Sequence, residues 1–289
     1  MSITRRAALA ATAMLISGAS YAQTAEVVTG AGATFPAPLY FRWADEFRKA
    51  TGLQVNYQSI GSGAGINQIR NRTVDFGATD SPLQDPGDLL QIGTVEGMVV
   101  AAYNIPGIAT LNLSMEIATK IYRGEITSWD HASIVALTPG LRLPRLAIVP
   151  IYRADGSGTT SIWTRGMRDM APAGLWSDVG TSVRWPAGQG ARGNEGVAAT
   201  VQRVRGAIGY VEHIYAKANN LSVARMDSPR GRTYLLIPRN PTDRAKHATV
   251  VRFVEWCFSP AGQDIARDMG YELLPAAELS SFLAALKAL

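Results

Sequence analysis

Three short segments combine glycines and hydroxyls in a way suited to holding an anion. They are Gly30-Ala-Gly-Ala-Thr-Phe-Pro36, Ile60-Gly-Ser-Gly-Ala-Gly65 and Arg153-Ala-Asp-Gly-Ser-Gly-Thr-Thr160. Glycine lets a backbone approach a ligand closely. A helix N-terminus offers N–H groups without helical partners and the positive end of a dipole. Serine and threonine hydroxyls add short donors. Together these donors match a tetrahedral oxyanion. Any one such loop is more simply a capped turn; three of them, each between a strand and a helix, argue for a shared site. No Walker lysine follows any of the three, so nucleotide hydrolysis is not indicated.

Two acids accompany the donors: Asp80, at the end of a strand, and Asp155, two residues beyond Arg153. A carboxylate beside an anion is repulsive unless the anion carries a proton to donate. Phosphate carries one at neutral pH and sulfate does not. A buried Asp80 acceptor therefore discriminates between them, because sulfate leaves a desolvated clash of lone pairs. Arg153 can meet phosphate oxygens with two parallel donors, and Asp155 can hold its fork in place.

These residues need a scaffold of alternating strands and helices. Strands are expected at 53–59, 74–79, 98–103, 146–152, 207–212 and 234–238. The runs at 98–103 and 146–152 are mostly apolar, as in central parallel strands. Helices are expected at 37–50, 64–72, 114–122, 158–169, 195–204, 243–258 and 260–268. Gly52 is placed to close the first, and Asn194 and Thr242 to cap two others. The pattern implies an α/β fold with mainly parallel sheets, in which strand C-termini form the ligand-binding edge.

The chain has 289 residues, 47% of them hydrophobic and 18% charged, which excludes a disordered or collagen-like polymer. Residues 1–22 read as an export signal: Arg5 and Arg6, an apolar run from Ala7 to about Ile16, and the small-x-small site Ser20-Tyr21-Ala22. The paired arginines leave twin-arginine and general export both open. Losing them with the signal takes the formal charge from +5 to +3. The lone Cys257 excludes an internal disulfide framework and reads as a buried, inert thiol. No cofactor or metal is expected.

In these loops the chain resembles the periplasmic phosphate-binding proteins of phosphate ABC transporters. The segments that carry the resemblance are Gly30 to Tyr40, Val74-Asp-Phe-Gly-Ala-Thr-Asp-Ser-Pro82, Arg153 to Thr159, and Gly206-Ala-Ile-Gly-Tyr-Val-Glu212. The resemblance implies a type II periplasmic-binding-protein fold: two α/β lobes, a ligand cleft and hinge strands. Lobe I would comprise 23–104 and 233–289, and lobe II 105–232. Thr34, Phe35 (through its backbone N–H), Ser62, Asp80, Arg153, Asp155, Ser157, Gly158 and Thr159 would form the phosphate site, with Asp155 steadying Arg153. The protein would be periplasmic, cleaved after Ala22 and monomeric. It would pass inorganic phosphate to inner-membrane permease subunits and catalyse nothing. The chain departs from the family pattern at Gly63, where a second serine is usual, and in a short segment from Leu221 to Tyr234.

Three rival readings compete. Gly188-Gln-Gly-Ala-Arg-Gly193 matches a dinucleotide fingerprint by letter, with Glu212 about 20 residues on, so an exported dinucleotide-binding oxidoreductase is the main alternative. A hydrolase is disfavoured because neither serine loop has Gly-x-Ser-x-Gly spacing, and His131, His213 and His247 sit away from the loops in sequence. Nucleic-acid binding is not expected: the arginines near 225–244 lack an interleaved aromatic platform.

Overall fold

The first strand, β1 (Val28–Gly32), pairs in parallel on both sides, with β2 (Val55–Ser59) and β3 (Phe76–Thr79). Helix α1 (Ala37–Thr51) follows β1 and α2 (Ser62–Arg70) follows β2. Leu39, Tyr40, Trp43 and Phe47 form one buried face of α1, at helical spacing. Gly52 ends α1 in a left-handed conformation, its N–H donating to the Arg48 carbonyl. The fold is that of a computed structural model, which describes residues 27–289. The expected export signal and its cleavage point lie outside the described residues.

Next comes β4 (Leu89–Tyr103), fifteen residues long, and then α3 (Met115–Tyr122), α4 (Ala132–Leu137) and β5 (Val149–Arg153). Helix α5 (Gly158–Met170) starts at an N-cap from Ser157, whose hydroxyl accepts from the Thr160 N–H. The chain continues through β6 (Gln189–Ala191), α6 (Gly193–Arg203), β7 (Ala207–Glu212), α7 (His213–Ala218) and β8 (Ser222–Val223). It ends with β9 (Arg230–Pro238), α8 (Arg244–Cys257), α9 (Pro260–Asp268), β10 (Glu272–Leu273) and α10 (Ala276–Lys287).

The strand order is β2-β1-β3-β9-β4-β7-β5-β6, with β8 and β10 also on β4. The long strand β4 joins two sheets. From Leu89 to Met98 it pairs with β9; from Val99 to Tyr103 it pairs with β7. Parallel pairing is confined to the flanks, β2-β1-β3 on one side and β7-β5-β6 on the other. The central ladders of β4 and β9 are antiparallel, so the expected parallel role of 98–103 is not met. The reason is that these two strands run between the halves rather than through a helical crossover.

The first half buries its sheet under α1, α8 and α9. Trp43 Nε1 donates to the Gly262 carbonyl at 2.8 Å, and the Phe47 and Phe253 rings meet edge to face. The second half stacks Trp163 on Tyr210 and fills around them with Tyr122 and Trp185. Cys257, at the end of α8 in the first half, is buried as expected, and burial pushes its thiol well above the usual range. The α8 cap is Asp243 rather than Thr242: its carboxylate accepts from the Ala245 and Lys246 N–H groups. Among the described residues, no helix is long and apolar enough to cross a membrane.

Candidate functional site

Four strand C-termini deliver the residues that the sequence singled out. Thr34 and Phe35 follow β1, Ser62 follows β2, Asp80 follows β3, and the Arg153–Thr159 loop follows β5. The structure brings them together between the two halves. Thr34, Phe35, Ser62, Asp80, Arg153, Ser157 and Thr159 are all buried, and Asp155 is partly exposed. The loops interdigitate: the Gly158 N–H donates to Ser62 Oγ at 3.1 Å, and the Gly63 N–H to the Gly156 carbonyl at 2.9 Å. A Cβ on Gly158 would lie 2.4 Å from the Asp80 Cβ, so glycine is what lets this loop reach the facing one.

The loop after β1 is anchored by tyrosines. Tyr57, Tyr215 and Tyr271 donate their hydroxyls to the carbonyls of Ala33, Thr34 and Phe35, respectively. Burial raises all three phenols, so they stay protonated donors. A trans peptide points its N–H opposite its C=O. Tyr215, in taking the Thr34 carbonyl, thereby turns the Phe35 N–H the other way.

Each lone pair on three hydroxyls is accounted for. Ser62 Oγ accepts from the Asp80 N–H at 3.2 Å and the Gly158 N–H at 3.1 Å. Thr34 Oγ1 accepts from the Asn194 N–H at 3.2 Å and from Asn194 Nδ2 at 2.8 Å. Thr159 Oγ1 accepts from Asn194 Nδ2 at 3.0 Å and Arg153 Nη1 at 3.4 Å. A hydroxyl has two acceptor lone pairs and one proton. All three retain only the proton. The site also holds the Arg153 guanidinium, clamped by Asp155: Nε meets Oδ1 at 2.8 Å and Nη2 meets Oδ2. Asp155 Oδ1 also accepts from the Gly193 N–H at 3.0 Å. Burial pushes the Asp155 carboxyl up, but the Arg153 hydrogen bonds and charge outweigh it and hold it below the usual range.

One group in the cage faces the other way. Neither Asp80 oxygen has a hydrogen-bond partner, although the side chain is fully buried. Burial raises its pKa to about 7, against the opposing pull of the nearby Thr233 hydroxyl, the Arg153 charge and the Ser62 hydroxyl. An unpartnered buried carboxylate is costly and calls for a donor. The cavity thus presents many donors and a single acceptor. That set fits a tetrahedral oxyanion bearing a proton.

Sequence reasoning missed three contributors. Asn194 was expected to cap α6, but the cap is Arg192, and Asn194 instead bonds Thr34 and Thr159. Glu212 is buried at the end of β7, its carboxylate accepting from the Ile214 N–H. Burial raises it to about 8. Thr233 lies on β9 beside Asp80. The prior signals were the place of Glu212 at the end of the Gly206–Glu212 stretch and the proximity of Asn194 to the Gly188–Gly193 letters. That segment is not a nucleotide loop: Gln189–Ala191 is itself strand β6, paired in parallel with β5, and 182–185 forms no strand before it. Among the described residues no cluster of three or more His, Cys, Asp or Glu is placed to hold a metal. His131 caps α4. His213 starts α7, and His247 lies in the first turn of α8.

Two α/β halves joined by crossing strands, with a buried cluster of donors between them, define a type II periplasmic-binding-protein fold. The model of the PBP superfamily domain matches residues 18–264. The phosphate-binding protein PstS of Pasteurella multocida is 43% identical over 238 residues, covering 79% of this chain and 68% of that protein. Its counterpart from Haemophilus influenzae is 35% identical, covering 89% and 91%. A solved phosphate-binding protein from Stenotrophomonas maltophilia superposes with a TM-score of 0.72 at 21% identity, over 90% of this chain and 93% of that one. The chain belongs to the PstS family of phosphate-binding proteins.

Proposed function

We propose that the protein is a periplasmic solute-binding protein that captures inorganic phosphate between its lobes and delivers it to an ABC importer, with no catalytic step of its own. The observation that carries this reading is a cage of donor-only groups holding one unpartnered acid. Thr34, Ser62 and Thr159 supply O–H donors, and Arg153 supplies guanidinium N–H groups. Phe35, Gly158 and Thr159 supply backbone, Ser157 caps the α5 turn that carries them, and Asp155 holds Arg153. Asp80 accepts the proton of the ligand. The lobes are 23–104 with 233–289, and 105–232; the change of partner on β4 between Met98 and Val99 supports a hinge near there. The chain is exported by a signal cleaved after Ala22, works as a monomer on inner-membrane permease subunits, and binds no nucleic acid.

Calorimetry on the mature protein tests this. Phosphate should bind tightly and sulfate at least 100-fold more weakly, an interval of about 2.7 kcal/mol. Equal affinity for the two would sink the assignment of Asp80. Asp80→Asn should narrow the gap, since an amide can donate to sulfate.

A further inference from the structure

Asn194 connects the two sides of the cage through more hydrogen bonds than any capping role requires. It is fully buried, and every polar atom of its side chain is engaged. Oδ1 accepts from the Glu212 backbone N–H at 2.8 Å. A backbone N–H can only donate, so the amide has one permitted orientation, with Nδ2 facing the hydroxyls. Its two protons go to Thr34 Oγ1 on one lobe and Thr159 Oγ1 on the other. The Asn194 N–H takes the second lone pair of Thr34, and Arg153, which cannot accept, takes that of Thr159.

We propose that Asn194 is a positioning residue that sets the polarity of the cage: by filling acceptor sites on one threonine from each lobe, it leaves both hydroxyls able only to donate toward the anion. Strand β7 supplies the direction through the Glu212 N–H, and Asn194 passes it to both lobes. Without it, either hydroxyl is free to turn its proton away and present a lone pair to the ligand oxygens. Asn194 also joins the lobes only in the arrangement where both threonines converge, so it couples closure to readiness for the anion. The segment Gly188–Gly193 thereby acquires a use: it brings Asn194 to the second position of α6.

The inference rests on the phosphate reading above, and a double-mutant cycle separates the two. Phosphate affinity is measured by calorimetry for the wild-type protein, Asn194→Ala, Asn194→Asp, the Thr34→Val/Thr159→Val pair, and the pair combined with Asn194→Ala. The loss of two orientated hydroxyls on a charged ligand predicts about 100-fold weaker binding for Asn194→Ala. In the valine background the same change should cost less than about threefold, because no hydroxyl is left to orient. Asn194→Asp keeps the shape and tests the idea even where the alanine variant folds poorly. It should bind more weakly than the alanine variant, since its carboxylate draws both hydroxyl protons onto itself. An equal loss from Asn194→Ala in both backgrounds would overturn the proposal and leave Asn194 as a lobe tie only. So would an Asp variant that binds as well as wild type. A wild-type protein that does not bind phosphate would remove the receptor reading itself, and this inference with it.

Discussion

Asp80 and Glu212 are acids held where water does not reach, and both are raised by that burial, to about 7 and about 8. Each lowers the charge of the other's surroundings when protonated, since the Asp80 charge is one of the effects raising Glu212. A carboxyl raised in the folded state binds its proton more tightly there than in the unfolded chain. Stability is then greatest at low pH and is lost as pH climbs from the ordinary carboxylate range through the folded value. The loss is on the order of a few kcal/mol for each group. The melting temperature of phosphate-free protein should therefore fall between pH 5 and pH 9. Asp80→Asn should flatten the part below about pH 8, and Glu212→Gln the part extending to about pH 9. Thermal melts in phosphate-free buffers check this; a midpoint that stays level or rises over that range contradicts the burial argument. Asp155 works in the opposite sense and lower on the scale, because Arg153 depresses it. At this scale the sequence was most legible. The Gly-hydroxyl spacing singled out the three loops, and the acids beside them pointed to a protonated anion. Asn194 and Thr233 were not legible, because each reaches the cage from an element distant in sequence and carries no local motif; Glu212 stood at the end of the Gly206–Glu212 stretch, but nothing in the letters tied it to the three loops.

The elements were legible where one face is buried and unreadable where pairing alone makes the structure. Val55–Ser59 alternates buried and exposed residues, so its strand is visible in the letters. Val28–Gly32 has no such pattern; it is a strand because β2 and β3 pair with it on either side. The first nine residues of β4 escaped for another reason. A register shift between Gly93 and Glu96 breaks the alternation there. Gln189–Ala191 supports a nucleotide loop only as a rival reading, because its glycines match a fingerprint whose meaning depends on the flanking strand, and that strand is absent. The glycines of the anion loops make the element-scale prediction. Gly61 has φ of +92°, and a Cβ there would lie 2.3 Å from Asp155 Oδ2 on the facing lobe. Gly61→Ala should keep the fold, losing roughly 1–3 kcal/mol from the backbone conformation, yet weaken phosphate binding more than tenfold by holding the lobes apart. Melting curves and calorimetry on the same variant separate the two effects. Wild-type affinity in Gly61→Ala would mean that the loops do not need to approach this closely.

Across the whole molecule, the depth of the site forces a motion. Thr34, Asp80, Ser157 and Thr159 are each at most 2% exposed, so an ion entering the proposed site must displace contacts between the halves. Several of the contacts across the cleft are polar. They include Gly63 N–H to the Gly156 carbonyl, Gly158 N–H to Ser62, Ser59 to Glu195, Tyr215 to the Thr34 carbonyl, and the Asn194 pair. Each exchanges for a hydrogen bond to water on opening, at a net cost of about 1 kcal/mol. Such a cleft opens readily without ligand, whereas a bound anion joins donors of both lobes and has to be rehydrated before they part. On the proposed lobe division, the chain passes between the halves along β4 near Met98–Val99 and again between β8 and β9, so bending at these two places is the expected way for the lobes to part. Small-angle scattering on the mature protein should therefore show a radius of gyration that falls when phosphate is added and does not respond to the same concentration of sulfate. Asp80→Asn should lessen the phosphate response, and Asn194→Ala should need more phosphate to reach the compact form. A radius of gyration identical with and without phosphate, at concentrations where calorimetry records saturation, would mean that the ion enters by a path other than lobe opening.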